Sequence, residues 1–225
     1  MKIRFSVIFL TVSLTIACEN SSNEDHVTMN EQYSTDDQKK EIKYLKFEPD
    51  QLDGFELDGF DISEVYQIDS LKVVIAFSEG DMVTSETPSD WGDGLTLLKG
   101  DSILYQSKRV GDPYQYEPFF YHNTTNNKVI IICQLGNEEN YGGEAFLLEN
   151  GSIEFIGVIN VENPNETYDN TGLIEMIRIS EVENAIYFNF DSDTLIDLTN
   201  DDWNRVKNDS IHYVFKENNF KLKGL

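Results

Sequence analysis

From Glu41 onward, short runs of β-branched and aromatic residues alternate with clusters of Gly, Asp and Asn, and almost no long stretch keeps a 3.6-residue apolar period. A two-residue period in short segments marks strands, so the pattern predicts an all-β domain. Three of the runs are nearly continuous: Lys72-Val73-Val74-Ile75-Ala76-Phe77, Lys128-Val129-Ile130-Ile131-Ile132-Cys133 and Ala185-Ile186-Tyr187-Phe188-Asn189-Phe190. They read as central strands, because a strand covered on both sides needs no polar face. A hairpin is expected after each: Leu95 to Tyr105 turning at Gly100-Asp101, Ala145 to Phe155 turning at Asn150-Gly151, and Ile211 to Leu222 turning at Asn218-Asn219. Asn-Gly is the strongest of these signals, since both central residues of a type I′ turn need positive φ. Another extended segment precedes each central run, at Val65 to Ile68, Phe119 to Asn123 and Ile174 to Ile179. The one helix candidate is Asn200 to Lys207, with Asn200 as cap, Asp201 and Asp202 at the positive end of the dipole, and Arg205 and Lys207 at the negative end.

These elements amount to about twelve antiparallel strands in three four-stranded meander repeats. In size and order the repeat resembles a β-propeller blade, which implies three sheets packed around an axis with Ile42 to Phe47 completing one of them. Propellers use about four to eight blades, so a β-sandwich or barrel built from the same strands stays open. Equivalent units would put the loops after the central strands on one rim: Ser78 to Gly92, Gln134 to Gly142 and Asp191 to Asp209. The first two loops end in Trp91-Gly92 and Tyr141-Gly142, and the third holds Trp203. Such rings, flanked by acids and amides, can stack a sugar or grip a peptide side chain. Each can equally fold back over the end of its own sheet.

The first 17 residues carry Lys2 and Arg4, then an apolar run from Phe5 to Leu14, then Thr15-Ile16-Ala17 before Cys18. A cationic start, a short apolar segment and a small residue before the cut form a secretory signal, too short to span a bilayer of roughly 30 Å. Leu14-Thr15-Ile16-Ala17-Cys18 resembles the lipobox of bacterial lipoproteins, with Thr15 where Leu is usual. The resemblance implies that Cys18 is acylated and becomes the N-terminus, anchoring an exported domain to a membrane of the cell envelope. Two acyl chains hold such an anchor where one binds only marginally. Residues 18–40 carry almost nothing apolar and read as a tether. Its 22 residues from Glu19 to Lys40 would span about 25 Å as a flexible coil. The single β domain is expected over residues 41–225.

Cleavage after Ala17 removes two cations and no acid, leaving 15 Lys and Arg against 41 Asp and Glu, a formal charge of −26. That sign repels phosphate backbones and argues against nucleic acid as a partner. With Cys18 acylated, Cys133 is the sole thiol, set among aliphatic residues where a thiolate is disfavoured. His26, His122 and His212 show no metal-ligand spacing, and no Gly-x-Ser-x-Gly or phosphate-cradling loop appears. Asp191, Asp193, Asp197, Asp201 and Asp202 offer oxygens to a hard cation, but no Gly sits at the turn and no Glu closes the loop, so this is not an EF-hand. No metal or cofactor is expected. The tandem Leu52-Asp53-Gly54-Phe55 and Leu57-Asp58-Gly59-Phe60 reads as two turns carrying hydrophobic staples. The expectation is a non-catalytic, membrane-anchored envelope lipoprotein binding a protein or glycan through Trp91, Tyr141 and Trp203. The rival is a surface hydrolase of polysaccharide or peptide, which requires two carboxylates in one cleft with a raised pKa on one of them.

Overall fold

In the computed structural model the described residues are 40–80, 91–111, 113, 115–136, 140–164, 172–199, 204–207 and 211–224, and they form seventeen strands and one short helix. The signal segment, Cys18, the tether up to residue 39 and Trp203 lie outside the described residues. With elements numbered in chain order, the largest sheet has nine strands. Its spatial order is β10 (Ser152–Ile159), β9 (Asn140–Glu149), β8 (Val129–Gly136), β7 (Gln115–Asn123), β1 (Ile42–Phe47), β12 (Ile177–Val182), β13 (Ala185–Phe190), β16 (His212–Lys216) and β17 (Asn219–Lys223). A second sheet orders β2 (Asp50–Gln51), β3 (Asp61–Ile68), β4 (Leu71–Ser78), β5 (Gly92–Lys99) and β6 (Ser102–Gln106). A third, small sheet holds β11 (Val161–Glu162), β14 (Thr194–Asp197) and β15 (Asn204–Lys207), and the helix α1 is Gly172–Met176.

The nine-stranded sheet curls until its two edges approach, Gly157 of β10 lying against the ring of Phe220 on β17, so that it forms a nearly closed barrel. Closure removes open edges that would otherwise pair with another chain. One apolar cluster fills the interior, drawn from Ile130, Ile132, Leu147, Ile179, Ile186, Phe188 and Tyr213, with Leu173 and Met176 of α1 and Val161 and Leu195 of the small sheet. The outer face of β7 to β10 carries the alternate residues Phe120, Ile131, Cys133 and Phe146, and these pack on Val73, Ile75, Leu95 and Leu97 of the five-stranded sheet. Leu52, Phe55, Leu57 and Phe60 then cover the far side of that sheet, over Val65, Val74, Ala76 and Leu98. Gly54 and Gly59 take φ of 69° and 84° to turn the chain there, so the tandem is two turns carrying staples. Strands β4 and β8 are thus covered on both faces, which is why their sequences run apolar without alternation. Among the described residues, the strand partners and all three clusters lie within the compact unit Gln38–Leu225.

Strand β1 is the seam. It pairs antiparallel with β7 through Tyr44 to Phe47 and with β12 through Ile42 and Lys43, joining two antiparallel runs that would otherwise be separate sheets. Just inside the barrel, Glu181 of β12 accepts hydrogen bonds from Tyr44 at 2.9 Å and Asn123 at 3.0 Å, and its other oxygen pairs with Lys128 at 2.8 Å. Asn123 uses its own Oδ1 to hold the β7–β8 turn, accepting from the Thr125 and Asn126 amides. Four segments therefore meet on one buried carboxylate, whose charge is offset by Lys128 and two neutral donors.

The structure differs from the sequence expectations at particular elements. The expected helix at Asn200–Lys207 is strand β15 over Asn204–Lys207, pairing with β14, while 200–203 lie outside the described residues. Pairing within a sheet overrides the weak helical signal of charged ends alone. The segment Ile174–Ile179 begins as α1 and becomes β12 only at Ile177, because Leu173, Ile174 and Met176 plug the barrel interior. Ile42–Phe47 does not complete one meander but joins two. The last hairpin turns at Glu217-Asn218, both at positive φ, one residue before the expected position. The Asn150-Gly151 turn has φ of 53° and 80°, as a type I′ turn requires. Replacing Glu181 by Ala removes the acceptor of three groups and leaves the half-buried Lys128 with only the longer ion pair to Glu149 at 3.8 Å, so urea unfolding should show a loss of about 3 kcal/mol. Tyr44→Phe, which removes one donor, should cost about 1 kcal/mol.

Candidate functional site

The aromatic-glycine pairs of the loops have a backbone reason. Gly92 and Gly142 open β5 and β9 at φ of 112° and 81°. A Cβ on Gly92 would run into the Gly111 carbonyl, and one on Gly142 into the Ile159 carbonyl, so in both places a second segment crosses too closely for any side chain. Trp91 is half-buried, edge-on to Phe77 at 5.6 Å, with its ring beside Gly111. Tyr141 is half-buried against the core between the two large sheets, and burial pushes its hydroxyl pKa up. Each ring gives part of its surface to its own sheet. Trp203 and most of the loop residues between Ser78 and Trp91 lie outside the described residues, so two of the three expected rim residues are placed.

A different set of residues is brought together where the five-stranded sheet meets the nine-stranded one. The end of β1 and the strands β2, β3 and β7 border a recess of about 360 Å³ lined by Lys46, Phe47, Tyr66, Glu117, Phe119 and Phe120 among others. A neighbouring recess of about 330 Å³ is lined by Ser63, Glu64, Asp93, Pro113, Gln115, Tyr116 and Glu117. Glu117 belongs to both, and the hydrogen bond from the Tyr66 hydroxyl to Glu64, 3.0 Å, links one recess to the other. The two recesses adjoin at Glu117 as parts of one groove, with Phe47, Tyr66 and Phe119 lining the first and Glu64 and Asp93 the second.

The electrostatics follow from burial. Glu64 has its pKa raised chiefly by desolvation, against the opposing hydrogen bond from Tyr66, and the charge of Glu117 adds a smaller upward push. Glu117 accepts a hydrogen bond from the Gln115 amide at 2.9 Å. Tyr66 stacks at a tilt on Phe120, ring centroids 4.9 Å apart, so its apolar edge is held by the core and its hydroxyl by the groove. Behind the second recess, Tyr116 donates to Glu144 at 2.6 Å beside the sulfur of Cys133. Burial pushes the Cys133 thiol well up and the Glu144 charge pushes it further, so the thiol is a packing group between the sheets and not a nucleophile.

Of the loop acids weighed for a cation, Asp191 pairs with Arg178 at 3.1 Å and Asp197 accepts from the Thr199 amide and hydroxyl, while Asp201 and Asp202 lie outside the described residues. Among the described residues no group of three or more His, Cys, Asp or Glu is arranged to hold a metal ion. Sequence reasoning did not find the groove. Its acids and rings stand two residues apart on strands, Glu64 with Tyr66 and Gln115 with Glu117, a spacing that puts each pair on one face but does not say that β3 and β7 come together. Comparison of the chain with protein-family models, with curated proteins and with solved structures finds no match.

Glu144 provides a pH test of the buried site. The folded protein holds its proton more tightly than the unfolded chain, whose carboxyl titrates near the ordinary value of 4.5. As pH rises through the window from that value up to the raised folded pKa, the unfolded state releases a proton that the folded state keeps, and stability falls. Glu144→Gln keeps an acceptor for Tyr116 and removes the titration. Its stability relative to wild type, followed by denaturant melts at stepped pH, should therefore rise from acid toward neutral pH.

Proposed function

We propose that this protein is an exported, lipid-anchored component of the bacterial cell envelope whose β domain binds a glycan or protein partner without catalysis, with Cys18 as the anchor. The observation that carries the binding site is the groove at the sheet junction, where Phe47, Tyr66 and Phe119 offer ring surface and Glu64 and Glu117 offer acceptors in two recesses that share Glu117. Rings supply apolar contact at low entropy cost, and carboxylates supply directional bonds to hydroxyl or ammonium groups. Trp91 and Tyr141 remain candidates for a second contact through the exposed parts of their rings. The finer architectural reading of three copies of one meander is supported by β4, β8 and β13 each following an antiparallel partner and preceding the hairpin strands of their own run, although β1 joins the second and third copies in one barrel-like sheet and not as separate blades.

A hydrolase is the second reading, favoured by one observation: Glu64 and Glu117 line the same recess and the first has a raised pKa. Two carboxylates in one recess, one of them with a raised pKa, are the groups that glycoside hydrolysis divides between its acid and its base or nucleophile. Glu117 is exposed, so Glu117→Lys should leave the fold intact. On neutral glycan and peptide arrays the binding reading expects a retained ligand for wild type and at least a tenfold loss for Glu117→Lys. Ligand turnover that stops in Glu64→Gln would replace binding by hydrolysis, and equal array profiles for wild type and Glu117→Lys would remove the groove from either role.

A further inference from the structure

The outer face of β12, β13, β16 and β17 is different in kind from the rest of the molecule. The five-stranded sheet covers the outside of β7 to β10 only, and on this other side Arg178, Asn189, Lys216, Asn219, Lys221 and Lys223 are exposed. The alternate residues Ile179, Ile186, Phe188, Tyr213 and Phe215 point into the barrel, which fixes the outward set by the two-residue period. Register then orders the outward residues in rows. Lys43 pairs with Ser180, Ser180 with Tyr187, Tyr187 with Val214 and Val214 with Lys221, a line across five strands at about 4.8 Å per strand. The adjoining positions pair Arg178 with Asn189 and His212 with Lys223, and the Tyr187 ring lies 5.9 Å from that of His212.

In a chain with 41 acidic residues against 17 Lys and Arg, no outward position of these four strands is Asp or Glu. Carboxylates border the face at its margins, where Glu41 is exposed two residues before Lys43, Asp191 is paired to Arg178 and Glu183 and Glu217 sit in the hairpin turns, while Glu181 points inside to Tyr44. Cations segregated on one outer face of the barrel, with one tyrosine and two amides among them, form a surface complementary to a line of negative charge. The surrounding acidity selects the shape of the partner. Screening at physiological salt acts over about 8 Å, so a thin polymer laid along the rows meets the lysines while staying clear of the acidic flanks, which a bilayer plane would meet as well. Among the exposed large apolar residues only Leu45 borders the face, while Ile103, Leu104 and Phe155 lie on β6 and β10, so the face lacks the apolar set that inserts into lipid.

We propose that this face binds a linear anionic polysaccharide, with Lys43, Lys216, Lys221 and Lys223 on its acidic groups and Tyr187 stacked on a sugar ring. The site is separate from the groove at the sheet junction and goes beyond the reading given for it. The probe is sodium polygalacturonate, immobilised, with neutral dextran beside it, and the protein is the chain from Glu19 onward, which contains the whole compact unit Gln38–Leu225. Wild type should be retained on polygalacturonate, released as NaCl is raised, and pass through dextran. Lys221→Glu/Lys223→Glu should weaken retention at least tenfold with an unchanged circular dichroism spectrum, whereas Lys99→Glu/Lys108→Glu, the same charge change at exposed sites of the other sheet and its flank, should not. Tyr187→Ala should weaken it further than salt alone explains. Absence of retention, or equal losses in both double variants, overturns the proposal. Binding to phosphatidylglycerol vesicles in place of the polymer overturns it in favour of a membrane surface.

Discussion

The carboxylate of Glu181 is the point on which the larger sheet depends. Strand β1 comes from the start of the domain and must sit between β7 and β12, which are far apart in the chain. Backbone ladders alone would allow a slip in register, since a strand with modest apolar content is weakly specified. Tyr44, Asn123 and Lys128 all converging on one inward carboxylate remove that freedom, because any slip would leave a buried charge without its donors. A buried ion pair is a poor source of stability but a good source of uniqueness here, and the seam is where uniqueness matters most.

With the seam in place, the remaining architecture follows from covering apolar faces. The barrel interior closes around its own side chains and borrows α1 and the small sheet to fill its ends. The outer face of β7 to β10 is apolar and takes the five-stranded sheet, which is in turn covered by the two staple turns at Leu52 to Phe60. The outside of β12, β13, β16 and β17 carries mostly polar and cationic residues with Tyr187 and Val214 among them, and among the described residues no second sheet packs on it. The two surfaces of interest are consequences of this asymmetry. The acidic groove lies at the join of the two large sheets, and the basic face lies where no second sheet packs.

Burial sets the chemistry of the inner polar groups. Glu64 and Glu144 have raised pKa values chiefly because they are desolvated, and the tyrosines beside them are pushed the same way. Tyr213 shows the same effect inside the barrel, its hydroxyl raised to about 12 by burial although it accepts from the Asn160 amide. Cys133, at the centre of the inter-sheet core, is a small apolar filler whose neighbours disfavour the thiolate.

Much of the β architecture was legible in the residues themselves. Period-two segments, continuous apolar runs and Asn-Gly punctuation are local signals, and they located the central strands β4, β8 and β13 and the hairpin at Asn150-Gly151, because backbone dihedrals and two-sided burial act on neighbours in the chain. Strand β13 departs from the two-sided burial expected of it, since Tyr187 is only half-buried and Asn189 is exposed while the alternate Phe188 and Phe190 are covered. The aromatic-glycine pairs were visible as pairs, but their cause, the crossing of Gly111 and Ile159 over the two glycines, is a long-range contact. The role of β1 as a seam, the plug formed by α1, the conversion of Asn204–Lys207 into a strand, and the meeting of Glu64 with Glu117 were decided only by tertiary structure. Each depends on which distant segment lies alongside, and a side-chain pattern states which face of a strand is apolar without stating what will cover it.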